Sequence, residues 1–208
     1  DSGLWDCLLR AWPAPRSGPG IAHYMLLAAI QRVCSPGPKA AIGPWYDRTV
    51  LSSVWRFPAS RFTSQAFWDA FSKIDQDSAS PGDDLTQLQI ALAQLWARDD
   101  FVTDTVLAYD TTNFYTYIDS KNERCELARR GHNKQGRHDL RQVGLAYAMD
   151  GNSGMGLFHH TYPGNRTDAE EFVVSLPLML EVLAGSGISP SAVTLVFDKG
   201  ASGMLTTV

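Results

Sequence analysis

Residues 106–114 read Val-Leu-Ala-Tyr-Asp-Thr-Thr-Asn-Phe, and the rest of the chain is organised around this stretch. An apolar run leads to one carboxylate, Asp110, and polar turn-forming residues follow it. An apolar run of this length with such boundaries predicts a buried strand. An Asp at the end of such a strand lies at a sheet edge, where open sheets bind ligands. Because Asp also starts turns by bonding its own backbone, this segment alone leaves both interpretations of Asp110 open.

A second segment repeats the pattern. Residues 192–200 read Ala-Val-Thr-Leu-Val-Phe-Asp-Lys-Gly, and the apolar run again leads to one carboxylate, Asp198. Two such strands that lie side by side direct both carboxylates at one place. Mg²⁺ and Mn²⁺ prefer oxygen ligands and are often bound through one or two carboxylates plus substrate phosphate. The pair therefore predicts a divalent-metal site formed by Asp110 and Asp198.

The order of elements after residue 100 indicates how these strands meet. We predict a strand at 105–109, a polar and basic stretch at 116–139, a hairpin of strands at 142–149 and 155–162, a helix that begins at a capping box of Thr167 and Glu170, and a last strand at 193–197. A helical crossover makes parallel neighbours, so the last strand is expected to lie parallel beside the first. The predicted fold class is α/β with a mixed sheet.

Residues 1–100 show a different pattern, with leucine and aromatic stripes at helical spacing in residues 21–34, 67–74 and 85–96. Residues 1–20 are rich in Pro and Gly and show no periodicity. The stripes are typical of a core between helices, and they do not indicate a cofactor site. We therefore predict a helical region over residues 1–100 and a separate region over 101–208 that carries the chemistry.

Composition limits the class of protein. The chain has 208 residues, of which 44% are hydrophobic, and this is enough for a sizeable core. No apolar run reaches the roughly 20 residues that span a bilayer, and the N-terminus lacks a signal-peptide pattern, so we expect a cytoplasmic protein. The three cysteines, Cys7, Cys34 and Cys125, are far apart, which predicts reduced thiols and neither disulfides nor a zinc site.

Charge is distributed unevenly. The net charge is −4, but residues 121–141 hold seven Lys or Arg and three acidic residues, so this stretch carries +4 and the remainder −8. Such asymmetry predicts a polyanion-binding site within an acidic protein, with a solvated loop as the alternative. The candidate phosphate contacts are Arg129, Arg130, Lys134, Arg137, Arg141 and Lys199. His159 and His160 are adjacent on a predicted strand and point to opposite faces, so we expect them to be structural.

Five short blocks carry a family resemblance. They are residues 109–114 (Tyr-Asp-Thr-Thr-Asn-Phe), 130–137 (Arg-Gly-His-Asn-Lys-Gln-Gly-Arg), 139–145 (Asp-Leu-Arg-Gln-Val-Gly-Leu), 162–165 (Tyr-Pro-Gly-Asn) with Asp168, and 196–200 (Val-Phe-Asp-Lys-Gly). In this order they resemble the DDE transposases of bacterial insertion sequences. The resemblance covers roughly residues 101–200, and it is loose in the helical half.

The resemblance implies a ribonuclease-H-like catalytic domain, of which residues 101–208 would be the N-terminal part. It implies DNA cleavage and strand transfer at insertion-sequence ends, with a two-metal Mg²⁺ or Mn²⁺ site in the complete protein. Asp110 matches the first catalytic carboxylate of the family and Asp198 the second. The third, a glutamate on a later helix, has no counterpart in these 208 residues. The implied partner is double-stranded DNA at transposon ends, and a homodimer of the chain is a further candidate assembly.

Two other functions stay open at this point. A transposase remnant that binds DNA or a full-length partner without catalysis would be consistent with the missing glutamate. A phosphatase with an aspartyl nucleophile would also place an Asp after a strand. Such an enzyme would usually need a second acid two residues later, and position 112 is Thr.

Overall fold

The computed structural model describes residues 3–74, 84–98, 106–119, 121–123, 125–131 and 136–198. The chain divides into two compact units, Asp1–Leu88 and Gln89–Val208. Helices and a four-stranded sheet with both parallel and antiparallel pairs make it a mixed α/β protein, which confirms the predicted class. Within the described ranges, no helix is long and apolar enough to cross a membrane.

The first unit is helical. Its helices are α1 (Leu4–Ala11), α2 (Ile21–Cys34), α3 (Ile42–Tyr46), α4 (Val50–Trp55) and α5 (Ser64–Phe71), while α6 (Asp84–Arg98) continues into the second unit. Aromatic side chains dominate its core, where Tyr46, Phe62 and Phe67 are fully buried. Helix α1 lies in residues 1–20, where no periodicity was predicted. The absence of periodicity was wrong for this segment, because Leu4, Cys7, Leu8 and Ala11 recur at helical spacing, and most of the Pro and Gly residues follow the helix at 13–20.

The second unit contains the sheet. Its elements are β1 (Val106–Thr116), β2 (Arg141–Asp150), β3 (Gly156–Pro163), helix α7 (Asp168–Ser186) and β4 (Thr194–Phe197). The strand order is β3-β2-β1-β4, with antiparallel pairing among the first three and parallel pairing of β4 with β1. The predicted hairpin and the parallel placement of the last strand beside the first are both confirmed.

Strand β1 is longer than predicted. It was expected to end at Tyr109, but it continues to Thr116 because β2 supplies a partner for every residue from Leu107 onward. Only the pairing with β4 stops at Tyr109. The β-branched Thr111 and Thr112 fit a strand, and pairing with β2 overrides the turn propensity of Asn113.

Helix α7 covers one face of the sheet, which we call the covered face. Leu107 and Tyr109 of β1 lie on it, in a core that also contains Phe172 and Met179 of α7. The Tyr109 ring meets Phe172 edge-on at 5.2 Å, and its hydroxyl lies 2.7 Å from Ser175 Oγ. Burial raises the pKa of Tyr109 to about 12, against the opposing effect of the Ser175 hydrogen bond. The sheet is thus anchored immediately beside Asp110.

The predicted capping box of α7 is present. The Thr167 side chain accepts from the Glu170 N–H, and the Glu170 carboxylate accepts from the Thr167 N–H at 2.9 Å. The Thr167 N–H, and after it the Thr167 hydroxyl, donate to this carboxylate and lower the pKa of Glu170 below its ordinary value. At the other end, Gly187 takes a left-handed conformation with φ 86°, which terminates the helix.

Candidate functional site

The opposite side of the sheet carries exposed side chains, and we call it the outer face. Successive side chains of a strand alternate between faces, so Asp110 lies on the outer face because Tyr109 lies on the covered face. Asp110 is exposed and stands directly opposite Tyr147 of β2, which is 40% exposed. Val196 of β4, 53% exposed, lies on the same face.

Asp110 and Asp198 occupy neighbouring positions on this face. Tyr109 of β1 pairs with Phe197 of β4 in the parallel register, and the residue that follows each of them in the chain is an aspartate. Phe197 packs against the core of the covered face, which turns Asp198 toward the outer face by alternation. Both aspartates are exposed. Neighbouring strands lie about 4.8 Å apart, so the two aspartates are neighbours in the backbone and would reach a single cation if both side chains turned toward it.

The backbone around Asp110 orients its carboxylate. One oxygen, Oδ1, accepts from the N–H of Thr111 at 2.8 Å. Thr111 itself is buried on the covered face, and β1 is paired on both sides up to Tyr109. The carboxylate therefore sits on a rigid element, as a metal ligand requires.

The donor set fits a hard divalent cation. Both groups are carboxylates, and Mg²⁺ is commonly held by one or two carboxylates together with substrate phosphates. Among the residues that the structure describes, no group of three or more His, Cys, Asp or Glu side chains could hold a metal ion. Within that part of the chain, the two aspartates are the oxygen ligands that the sheet brings to this edge.

The basic stretch supplies exposed cations next to the sheet. Arg129 and Arg130 are exposed, and Arg129 Nε donates to the Glu126 carbonyl at 2.8 Å. They belong to the lining of a pocket of about 300 Å³, formed by Asn122, Glu123, Glu126, Arg129, Arg130 and Arg141. Arg137 makes two hydrogen bonds to Asp139, at 3.1 and 3.2 Å, and lies 5.7 Å from the centre of the Tyr115 ring. Lys134 and Lys199, also predicted to contact phosphate, lie outside the described residues.

Arg141 has a different environment. Its side chain is buried, with only 8% of the residue exposed, and its guanidinium donates to backbone carbonyls. The acceptors are the carbonyls of Asp119, Asn122, Cys125 and Ala128. Because these donors are used inside the protein, we assign Arg141 a structural role in place of the expected phosphate contact.

The two histidines lie on opposite faces, as predicted. His160 is buried on the covered face, where its Nδ1 lies 2.6 Å from Oε1 of Glu171. The other oxygen of Glu171 accepts from Arg166 at 2.7 Å. His159 lies opposite Tyr147. Its burial lowers its pKa, and the nearby His160 makes a smaller contribution in the same direction.

The Glu171 network was missed by the sequence interpretation. Glu171 is completely buried although it lies in the first turn of α7, where acidic residues are usually exposed. The position of Glu171 in the helical repeat could have indicated that it is buried. Glu171 lies four residues before Ser175 and eight before Met179, and both of these are buried on the same stripe of the helix. A carboxylate on a buried stripe needs partners, which His160 and Arg166 provide.

Comparisons with protein-family models, with curated proteins and with solved structures found no match to this chain. The support for a function therefore comes from the resemblance of the five blocks and from the geometry of the outer face.

Proposed function

We propose that the chain is part of a DDE transposase of bacterial insertion sequences, which cleaves DNA at insertion-sequence ends and transfers strands when the protein is complete. The observation that carries this proposal is the neighbouring placement of Asp110 and Asp198 on the outer face of the sheet. The order β3-β2-β1-β4, with only β4 parallel to β1, supports a ribonuclease-H-like arrangement of the second unit.

Asp110 and Asp198 would hold Mg²⁺ or Mn²⁺ as part of a two-metal site. A bound divalent metal supplies activation of water and stabilisation of the leaving oxygen in phosphodiester cleavage. The contribution of the chain is to fix the ligands before DNA arrives. Strand pairing and the Thr111 N–H orient Asp110, and the core contact of Phe197 directs Asp198 to the same face.

The basic residues provide the second part of the proposal. Arg129 and Arg130 are exposed and would contact phosphates of double-stranded DNA at transposon ends. Such contacts give affinity that does not depend on base sequence and that weakens as salt increases. A second copy of the chain, in a homodimer, is the other partner that we propose.

A metal-binding assay tests directly whether Asp110 and Asp198 form a cation site. We expect the 208-residue chain to bind Mn²⁺, measured by electron paramagnetic resonance of the free ion. Asp110→Asn and Asp198→Asn should each weaken binding by about tenfold or more, which is about 1.4 kcal/mol. Asp47→Asn is the matched control, because Asp47 is an exposed aspartate of the first unit. Unchanged Mn²⁺ affinity in both outer-face variants would contradict the proposed site.

A second candidate function is a transposase remnant that binds DNA or a full-length partner without catalysis. The observation that favours it is the exposed pair Arg129 and Arg130, whose contacts with phosphate would need no metal. Incubation of the chain with supercoiled plasmid and Mn²⁺ separates the two candidates. Nicking that Asp110→Asn abolishes supports the enzyme, whereas DNA binding without metal-dependent nicking supports the remnant.

A further inference from the structure

Arg141 organises the loop that precedes the exposed arginines. Its Nε donates to the Ala128 carbonyl at 2.6 Å, and its Nη1 donates to the Asn122 carbonyl at 2.6 Å. Further donations reach Asp119 and Cys125, so the four acceptors are spaced three residues apart along the loop. The planar guanidinium has five N–H donors in a fixed fork, which suits it to hold a loop wound around it.

Gln142, the next residue of β2, holds the segment that follows. Its backbone exchanges two hydrogen bonds with Arg129, at 3.0 and 2.8 Å. Its side-chain Nε2 donates to the Gly164 carbonyl at 2.6 Å, and the Gly164 N–H donates to the Leu127 carbonyl at 3.2 Å. Residues 127–131, which we call the arm, are therefore bonded both to β2 and to the turn after β3.

Gly131 closes the arm against the same turn. A Cβ at position 131 would stand 2.1 Å from the Gly164 carbonyl oxygen and 2.8 Å from Gln142 Nε2. No side chain larger than hydrogen fits there without a shift of the backbone. The arm is thus held at Ala128 by Arg141, at Arg129 by Gln142, and at Gly131 by close contact with the turn.

We propose that Arg141 and Gln142 are positioning residues for DNA binding, which hold the arm so that Arg129 and Arg130 meet phosphate as a fixed pair. This inference rests on the proposed function, since it takes DNA as the partner of the two arginines. Fixing the arm before binding removes the entropic cost of ordering it in the complex. Arg141 thus acts on DNA through other residues and not by its own charge.

The anchoring of the arm also fixes how far it lies from the carboxylate pair along β2. Gln142 lies five residues along β2 from Tyr147, the residue opposite Asp110, which is about 17 Å at the rise of an extended strand. A DNA strand rises about 3.4 Å per nucleotide, so about five nucleotides span this separation. The arm would then contact phosphates about five nucleotides from the one at the carboxylate pair.

A double-mutant cycle on DNA affinity tests the inference. The probe is a fluorescein-labelled duplex of mixed sequence, and the readout is fluorescence anisotropy with the 208-residue chain. Arg141→Lys keeps the charge but replaces the planar fork, so it should weaken binding by about tenfold in the parent chain. In the Arg129→Ala/Arg130→Ala background it should have no further effect. Arg48→Lys, at an exposed arginine of the first unit, is the matched control.

A loss of affinity that is equal in both backgrounds, or no loss in the parent, would overturn the inference. If circular dichroism shows that Arg141→Lys is unfolded, Gly131→Ala replaces it in the same cycle, because it disturbs the arm without changing charge. If the chain does not bind DNA through these arginines at all, the affinity measurements give a different result. In that case Arg129→Ala/Arg130→Ala would bind the duplex as tightly as the parent, and with the same salt dependence.

Discussion

The ring of Tyr162 lies across the backbone of Gly144. The two residues are cross-strand partners in β3 and β2, and a Cβ at position 144 would stand 2.2 Å from the ring. Tyr162 is fully buried in the core that α7 covers, and its burial raises the pKa of its hydroxyl. Glycine at position 144 is therefore what allows the largest side chain of β3 to lie flat on the covered face.

The first prediction concerns this contact. Gly144→Ala should lower the free energy of unfolding by about 1–3 kcal/mol, because the ring has no space into which it can move without disturbing the packing. Chemical denaturation monitored by circular dichroism measures the change. Thr161→Ala, at the exposed position of β3 next to Tyr162, should stay within about 0.5 kcal/mol of the parent. Equal stability of Gly144→Ala and the parent would mean that the core is loosely packed there.

The second prediction separates metal binding from DNA binding. In the complete protein, Asp110→Ala should abolish cleavage and leave duplex affinity unchanged, because this carboxylate is proposed to hold metal and not to touch phosphate. A gel cleavage assay and an anisotropy titration of the same preparation measure the two properties. Normal cleavage by the variant would remove Asp110 from the site.

The third prediction concerns the exposed arginines. Arg129→Ala/Arg130→Ala should reduce the slope of log affinity against log salt by about 2, since each neutralised phosphate contributes about 0.9. Anisotropy titrations at several salt concentrations give the slope. Arg48→Ala, which removes an exposed arginine from the first unit, should leave the slope as it is. An unchanged slope in the double variant would make the arm a solvated segment.

The fourth prediction compares two adjacent glutamates of α7. Glu171→Gln should lower the free energy of unfolding by about 3 kcal/mol, because it removes the charge that His160 and Arg166 contact in a buried site. Glu170→Gln should cost less than about 1 kcal/mol, since Gln also forms the capping box with Thr167. Denaturation of both variants provides the comparison. Similar stabilities would indicate that the Glu171 network contributes nothing net.

The fifth prediction concerns pH and the first unit. His23 packs edge-on against Trp5, Trp55 and Phe57, and its Nδ1 accepts from the Gly20 N–H at 3.1 Å. Burial lowers the pKa of His23 below the ordinary 6.5. Well above pH 6.5 His23 is neutral in both the folded and the unfolded forms, and the full stability is present. As pH falls below 6.5 the unfolded chain takes up the proton first, so stability falls by at most about 1.4 kcal/mol per pH unit.

The variant His23→Gln tests this assignment. Gln at the third position of a helix also accepts from the capping N–H, but it does not titrate in this range. Denaturation of the parent and the variant between pH 7 and pH 5 should therefore show a smaller loss of stability in the variant. Parallel pH profiles would place the titrating group elsewhere, for example at His159, whose pKa is also lowered.

The sequence predicted the elements that depend on local interactions and missed the features that depend on residues distant in the chain. Periodicity and the capping box identified α2, α6, α7 and the hairpin of β2 and β3, because these signals depend on neighbours within a few residues. The end of β1 was misplaced, because the residues after Asp110 have turn propensity that pairing with β2 overrides. Arg141 was grouped with the other basic residues, because the carbonyls that bury its guanidinium come from a loop without periodicity.

The sequence by itself determined the mixed sheet, the parallel pairing of its last strand and the two aspartates that follow paired apolar residues. Strand propensity and chain order are enough for this, since a helical crossover leaves little choice of direction. Only the tertiary structure decided that Glu171 is buried with His160 and Arg166 and that Arg141 is internal while Arg129 is exposed. The helical repeat gives the stripe on which Glu171 lies, but only packing shows that this stripe is covered. The carbonyls that bury the Arg141 guanidinium lie 13 to 22 residues away in a loop, so no local pattern records them.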